Sequence, residues 1–191
     1  MELLLLLIAS ILTNNIALSY FLGMCSFIVL SKDIGVAYGM GAAVTFVITI
    51  TAIANWLINY YVLLPLQLEY LQFLVFIVTI ATIVQIIEIF FDRFLPGLYY
   101  AFGIFLPLIT VNCTVLGVSL FMVLRSYNFA QTVFYSLGSG LGWMLAIVTI
   151  AGFRKRLIFS DPPENFSAQG ITAILAGIMA LAFIGFTDVI K

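Results

Sequence analysis

Two cysteines, Cys25 and Cys113, are the residues of this chain best suited to metal or redox chemistry. They are the only cysteines among 191 residues, and histidine, the commonest metal ligand, is absent. Thiolates are soft ligands that favour zinc, copper(I) and iron–sulfur clusters. An iron–sulfur cluster is generally held by four cysteines. The two cysteines can therefore supply half of a four-thiolate site.

The composition of the chain indicates an integral membrane protein. Hydrophobic residues make up 64% of it and charged residues 8%, and the mean hydropathy is +1.26. An ordinary globular domain carries about 25% charged residues. The net charge of −1 gives no electrostatic footprint for nucleic acid. We therefore expect the whole chain, residues 1–191, to form a single membrane domain with an all-α fold.

The apolar runs predict six membrane-spanning helices. A straight span needs about 20 apolar residues. The predicted spans are residues 3–30, 35–63, 70–91, 98–124, 129–153 and 168–189. The connections between them are short and hold most of the charged residues, which is the pattern of a multi-pass membrane protein.

The charges of the connections predict an orientation. Five basic residues fall on one predicted side of the membrane and two on the other. The five are Lys32, Arg93, Arg154, Lys155 and Arg156, and the two are Arg125 and Lys191. The side richer in Lys and Arg generally faces the cytoplasm. We therefore expect both chain termini to be extracytoplasmic.

A weak internal repeat relates the two halves of the chain. The cysteines at positions 25 and 113 lie 88 residues apart, and the phrase YGMG at 38–41 resembles YSLGSG at 135–140. Repeats of three spans must have opposite orientations, which predicts inverted repeats over about residues 1–95 and 96–191. Such repeats place functional sites near the midplane, on broken helices. For the glycines themselves we favour close helix packing.

Polar residues near both cysteines predict breaks in the first and fourth spans. Asn14 and Asn15 lie in the middle of the first, where unpaired amides are costly in lipid. The fourth contains Pro107, Thr110, Asn112 and Thr114. Proline removes a backbone donor, and the other side chains can satisfy the backbone groups that it frees. Each cysteine would then lie beside a reoriented half-helix.

Other interpretations of the cysteines and of the polar residues remain open. A free cysteine often acts as a small buried hydrophobic residue. A disulfide is less favoured because nothing indicates an oxidising position, and zinc would need more ligands than two thiols. Thr49, Thr51, Asn55 and Asn59 of the second span either line a wet path or hydrogen-bond between helices.

Two acids lie at matching ends of the third and sixth spans. Intramembrane carboxylates often mark an ion or proton pathway, and Glu88 is the candidate for this role. A local ion pair or an interfacial position is the alternative, and it is the one that we favour for Asp188.

Three stretches of the chain resemble a known family. They are residues 15–25 (NIALSYFLGMC), 103–113 (GIFLPLITVNC) and 138–146 (GSGLGWMLA). They are similar to the E subunits of the Na⁺-translocating NADH:quinone reductases, whose close relatives are the A subunits of the Rnf ferredoxin:NAD⁺ reductases. The resemblance runs over essentially the whole chain. Val111 and residues 142–146 look more like the quinone-reductase member.

The resemblance implies a redox role within a bacterial inner membrane. Family members have six spans in inverted repeats and pair with a homologous, oppositely oriented partner, the D subunit, in a six-subunit complex. Two cysteines of each partner hold one [2Fe–2S] cluster, and Cys25 and Cys113 match the family's ligands. The cluster relays electrons towards ubiquinone between subunits that carry FAD, FMN and riboflavin, coupled to Na⁺ transport; no catalytic residue is implied in this chain.

One departure from the family and two other function classes complete the predictions. The run of residues 154–156 is all basic rather than of mixed charge, and we expect this to affect a loop rather than the redox site. The inverted repeat alone would also suit a small secondary transporter. A structural scaffold protein is the remaining alternative, with both cysteines serving only in packing.

Overall fold

The computed structural model describes residues 2–31, 33–94, 106–158 and 168–187, and all regular structure in them is helical. Three helices are long and apolar enough to cross a membrane: Ile34–Leu66, Glu69–Phe90 and Phe129–Arg156. Two shorter apolar helices cover Leu108–Leu124 and Gly170–Phe183. The prediction of an all-helical membrane protein is confirmed. The count of six spans and the repeat boundaries stay predictions, and residues 98–105 of the fourth predicted span lie outside the described residues.

The helices follow one another with short connections. They are α1 (Glu2–Ile11), α2 (Ile16–Ser19), α3 (Met24–Leu30), α4 (Ile34–Ile58), α5 (Leu64–Leu66), α6 (Gln72–Phe94), α7 (Leu106–Thr110), α8 (Cys113–Leu124), α9 (Phe129–Ile158) and α10 (Ala168–Thr187). A π turn, Asn59–Leu63, continues α4, and a 3₁₀ turn, Glu69–Leu71, precedes α6. The first predicted span is therefore three short helices, and the described part of the fourth is two.

Helices α4 and α9 pack along each other and form the centre of the molecule. Glycines make this close approach possible. A methyl group at Gly140 would lie 2.8 Å from Cα of Thr45, and one at Gly41 would overlap Met144. These two glycines belong to the two similar phrases of the repeat. Their role is helix packing, as predicted.

The polar residues of α4 are satisfied within the helical packing. The hydroxyls of Thr49 and Thr51 donate to carbonyls of the preceding turn, at 2.8 Å and 2.7 Å. The amide of Asn55 donates to Oγ of Ser119 at 2.8 Å and so ties α4 to α8. These bonds favour the helix-packing interpretation over a wet path for the three residues. Asn59 instead lies in the π turn, beside a cavity described below.

Candidate functional site

The first break is built around Asn15, which is fully buried. Its side-chain oxygen caps α2 by accepting from the backbone N–H groups of Ala17 and Leu18, at 3.1 Å and 3.4 Å. Its amide nitrogen donates to the carbonyls of Ile11, at 3.1 Å, and of Gly142, at 2.8 Å. Asn15 thus satisfies backbone groups on both sides of the break and fixes it against α9. Asparagine is a preferred residue at such a position because its side chain replaces the missing backbone partner.

The second break uses the same device. Asn112 is 2% exposed and lies between α7 and α8. Its side-chain oxygen accepts from the backbone N–H of Thr114 at 3.1 Å and caps α8. Cys113 is the first residue of that helix. The cap therefore fixes the position and direction of the backbone that carries the cysteine.

The two breaks meet at Gly23. This glycine precedes α3 with φ of +82°, a left-handed conformation that glycine adopts at little cost. A methyl group here would lie 2.8 Å from Oδ1 of Asn112 and from Nε1 of Trp143, and would overlap Oγ1 of Thr114. We call Gly23 with these three neighbours the junction.

A hydrogen bond locks the junction. The hydroxyl of Thr114 donates to the carbonyl of Leu22 at 3.1 Å, across 92 residues of sequence. Leu22 also fills the space above Gly117 of α8. The segment that carries Cys25 and the segment that begins with Cys113 are therefore in direct contact.

Both cysteines are exposed and neither is in a disulfide. Cys25 is the second residue of α3, two positions after Gly23, and Cys113 opens α8. Packing inside the chain would require buried thiols, so their placement does not support that interpretation. The junction instead presents two thiols at the surface of the protein.

The donor set of this chain is incomplete for a metal. Within residues 2–31, 33–94, 106–158 and 168–187, no group of three or more His, Cys, Asp or Glu side chains could hold an ion. The two cysteines therefore fit a metal centre only as part of a site shared with another chain. Two buried N–H donors of the junction, Nδ2 of Asn112 and Nε1 of Trp143, have no partner among the described atoms. Their dipoles favour negative charge nearby, as a thiolate-ligated centre would supply.

Arg154 contacts the cysteine helix directly, which corrects the expectation that residues 154–156 form a loop away from the redox site. Its Nη1 donates to the carbonyl of Ile28 at 3.0 Å and to Oγ of Ser31 at 2.8 Å. Helix α9 continues to Ile158, five residues beyond the predicted end. The basic cluster therefore occupies its last turns, where cations are favoured. From there Arg154 satisfies the C-terminal end of α3.

We expect Arg154→Gln to loosen α3, because hydrogen bonds from a charged donor contribute about 1.5–3 kcal/mol each. Cys25, on the same short helix, should then react faster with a maleimide in the purified protein. Arg154→Lys should preserve part of the effect because it keeps the charge. Lys155→Gln is the matched control, since Lys155 is exposed on the same turn. Equal labelling rates in both glutamine variants would contradict this positioning role.

The predicted acids are placed differently. Glu88 is half-buried on α6, and the described side chains give it no ion-pair partner. Asp188 lies outside the described residues. The local ion pair that was the alternative for Glu88 is therefore not observed with Arg93, one turn further on, whose side chain is exposed. The role of Glu88 as part of an ion path stays a prediction.

Sequence reasoning identified the cysteines and the breaks, but not the roles of Gly23 and Arg154. The signal for Gly23 was present, because a glycine two residues before a cysteine permits a left-handed turn. No local pattern indicates Arg154, since its partners are 126 and 123 residues away.

Comparisons with known proteins agree with the resemblance. Residues 3–190 match a family described as "Rnf-Nqr subunit, membrane protein". The chain is 51% identical to the E subunit of the Na⁺-translocating NADH-quinone reductase of Aeromonas hydrophila, over 96% of each chain. It is 48% identical to the E subunit of Nitrosomonas europaea and 47% identical to that of Neisseria meningitidis, again over 96% of each.

Proposed function

The chain belongs to the Rnf-Nqr family of membrane proteins, and we propose that it is the E subunit of a Na⁺-translocating NADH:quinone reductase. The similarity to proteins of that name covers nearly the full length of both sequences. It supports the quinone-reductase assignment over the Rnf ferredoxin:NAD⁺ reductase, which is the alternative within the family.

The observation that carries the redox part of the proposal is the contact between the two cysteine segments. The Thr114–Leu22 hydrogen bond and the close fit at Gly23 bring together segments that are about half a chain apart. Both thiols remain exposed there. A homologous D subunit that presents two more cysteines would complete a four-thiolate [2Fe–2S] site. The bound cluster would supply one-electron relay between flavin-bearing subunits.

The residues of this chain would orient the two ligands. Asn15 and Asn112 fix the breaks, Thr114 joins them, and Arg154 holds the far end of α3. Such supporting contacts commonly determine ligand geometry and potential in metal sites. The chain needs no acid–base catalyst for this role, since electron relay depends on distance and potential.

Complementation tests the assignment of the complex. A bacterium that lacks its own E subunit is supplied with this chain, and membranes are assayed for Na⁺-stimulated quinone reduction by NADH. Restored activity supports the proposal. Ferredoxin-dependent NAD⁺ reduction without NADH:quinone activity would assign the chain to an Rnf complex. Failure of both, with assembly intact, would favour a scaffold or a secondary transporter.

For location, we propose the bacterial inner membrane with both termini extracytoplasmic, on the charge asymmetry of the connections. A reporter fused after Lys191 should then be active on the outer side. A reporter inserted between α9 and α10, after Ile158, should be active in the cytoplasm. The reverse pattern would contradict the orientation.

We expect Glu88→Gln to impair Na⁺-dependent turnover or assembly more than Asp188→Asn. Glu88 lies within the apolar helix α6, where a buried charge costs about 2.5–3.5 kcal/mol on insertion scales. A carboxylate retained there without an observed partner is best explained by an ion path or a contact with another protein of the complex. Activity is measured as Na⁺-stimulated quinone reduction by the assembled complex. Wild-type rates for both variants would show that neither acid matters.

A further inference from the structure

A cavity of about 420 Å³ opens at the end of the molecule opposite Arg154, between the end of α4 and the turn that joins α8 to α9. The residues of its wall that matter here are Trp56, Asn59, Tyr60, Glu69, Gln72 and Asn128. It is separate from the junction, and the proposed redox role makes no use of it. In the orientation proposed above, this end faces outward.

One wall of the cavity is a fixed aromatic surface. Trp56 and Tyr60 stack with their ring centroids 5.2 Å apart and their planes within 4° of parallel. The indole N–H of Trp56 donates to the carbonyl of Tyr127 at 3.0 Å, which ties the wall to the turn after α8. The π turn Asn59–Leu63 brings Asn59 and Tyr60 to the cavity. Single π turns of this kind frequently occur at functional sites.

The opposite wall carries one negative charge. Glu69 is the only charged residue among the described lining residues, and no described side chain forms an ion pair with it. Asn59, Gln72 and Asn128 line the same cavity and supply amide oxygens. A carboxylate, amide oxygens and aromatic faces together suit a cation that can donate hydrogen bonds.

The size of the cavity favours an organic cation over a bare ion. One water molecule, comparable in size to a small cation, occupies about 30 Å³. Sites for small organic ligands are typically about 300–1,000 Å³, and this cavity falls in that range.

Beside the cavity stands a positive charge. Arg125 donates to the hydroxyl of Tyr127 at 3.2 Å, and this hydrogen bond raises the pKa of the guanidinium above its ordinary value. Exposed aromatic and aliphatic residues surround the opening, including Tyr61, 68% exposed, and Tyr70, 78% exposed. Such residues commonly lie at the level of lipid headgroups.

We propose that this cavity binds the headgroup of an aminophospholipid, with the primary ammonium between Glu69 and the Trp56–Tyr60 wall and the phosphate towards Arg125. The acyl chains would lie along the exposed apolar residues at the opening. A zwitterionic headgroup matches the separated negative and positive charges of the site, whereas a free amine would use only one of them.

Titration of the delipidated full-length protein with short-chain lipids in detergent tests this. Fluorescence of Trp56 reports occupancy, since Trp143 is fully buried. Phosphatidylethanolamine should bind at least about tenfold more tightly than phosphatidylglycerol, equivalent to about 1.4 kcal/mol. Glu69→Gln and Tyr60→Leu should each weaken phosphatidylethanolamine binding about tenfold. Asp33→Asn, which removes an exposed acid at the other end of α4, should leave it unchanged.

Two further arms distinguish the sources of the cation. Arg125→Gln should weaken the lipid but not free ethanolamine, which itself should bind far more weakly than the lipid. Ethanolamine binding as tightly as the lipid would overturn the lipid assignment. Displacement of the lipid by NaCl but not by KCl would assign the cavity to Na⁺ and overturn it too. Unchanged lipid affinity in Glu69→Gln would remove the basis of the proposal.

Discussion

Replacing either cysteine with alanine is expected to reduce electron delivery to quinone in the assembled complex to background. Cys25→Ala and Cys113→Ala each remove one of only two thiols in this chain, and a shared four-thiolate site tolerates no missing ligand on either side. Reduction of the first flavin by NADH should persist, because in the family that step lies upstream on another protein of the complex. Stopped-flow spectra of the flavins, with quinone reduction measured in parallel, separate the two steps.

The matched control is Val111→Ala. Val111 is exposed and lies two residues before Cys113, so its truncation perturbs the same surface without removing a ligand. It should reduce quinone at a rate near that of the wild type. Normal quinone reduction in either cysteine variant would return both thiols to a packing role.

Gly23→Ala is expected to have the second largest effect, by displacing the two cysteine segments from each other. A non-glycine residue in a left-handed conformation costs roughly 1–2 kcal/mol, and overpacking a filled site typically costs about 1–3 kcal/mol more. The added methyl group would meet Asn112, Thr114 and Trp143 together. The melting temperature of the purified protein and maleimide labelling of Cys113 measure the two consequences.

A second glycine in the central helix α9 supplies the control. Gly152→Ala adds a methyl group where no atom lies within 4 Å, in an ordinary helical conformation. Alanine stabilises a helix by about 1 kcal/mol relative to glycine, so this variant should melt at or slightly above the wild-type temperature. If Gly23→Ala melted like Gly152→Ala and labelled at the wild-type rate, the junction would not depend on Gly23.

The parts of the fold that the sequence predicted are those with local causes. Asn15 and Asn112 could be expected to interrupt helices because an amide in an apolar run needs partners and can cap a new turn. Both do so in the structure. The glycines at positions 41 and 140 could likewise be predicted to allow close helix packing, because small residues are common at such contacts.

The parts that the sequence did not predict depend on distant contacts or on small changes of helix geometry. The basic run at 154–156 looked like a loop because three adjacent charges usually end a membrane span. In the structure the helix continues, and Arg154 gains partners on α3 that offset its burial. The π turn at Asn59–Leu63 has no reliable sequence signature, so the cavity that it helps to form could not be foreseen.

Iron content is the measurement that tests the central claim most directly. Iron is determined per molecule in this chain purified alone, in the intact complex, and in the complex with Cys113→Ala or Val111→Ala. Because this chain offers only two thiols, the account predicts no iron in the isolated chain and two iron atoms at this site in the complex. Cys113→Ala should lose both, and Val111→Ala should keep them. Full iron occupancy at this site with Cys113→Ala, or in the chain alone, would contradict the account.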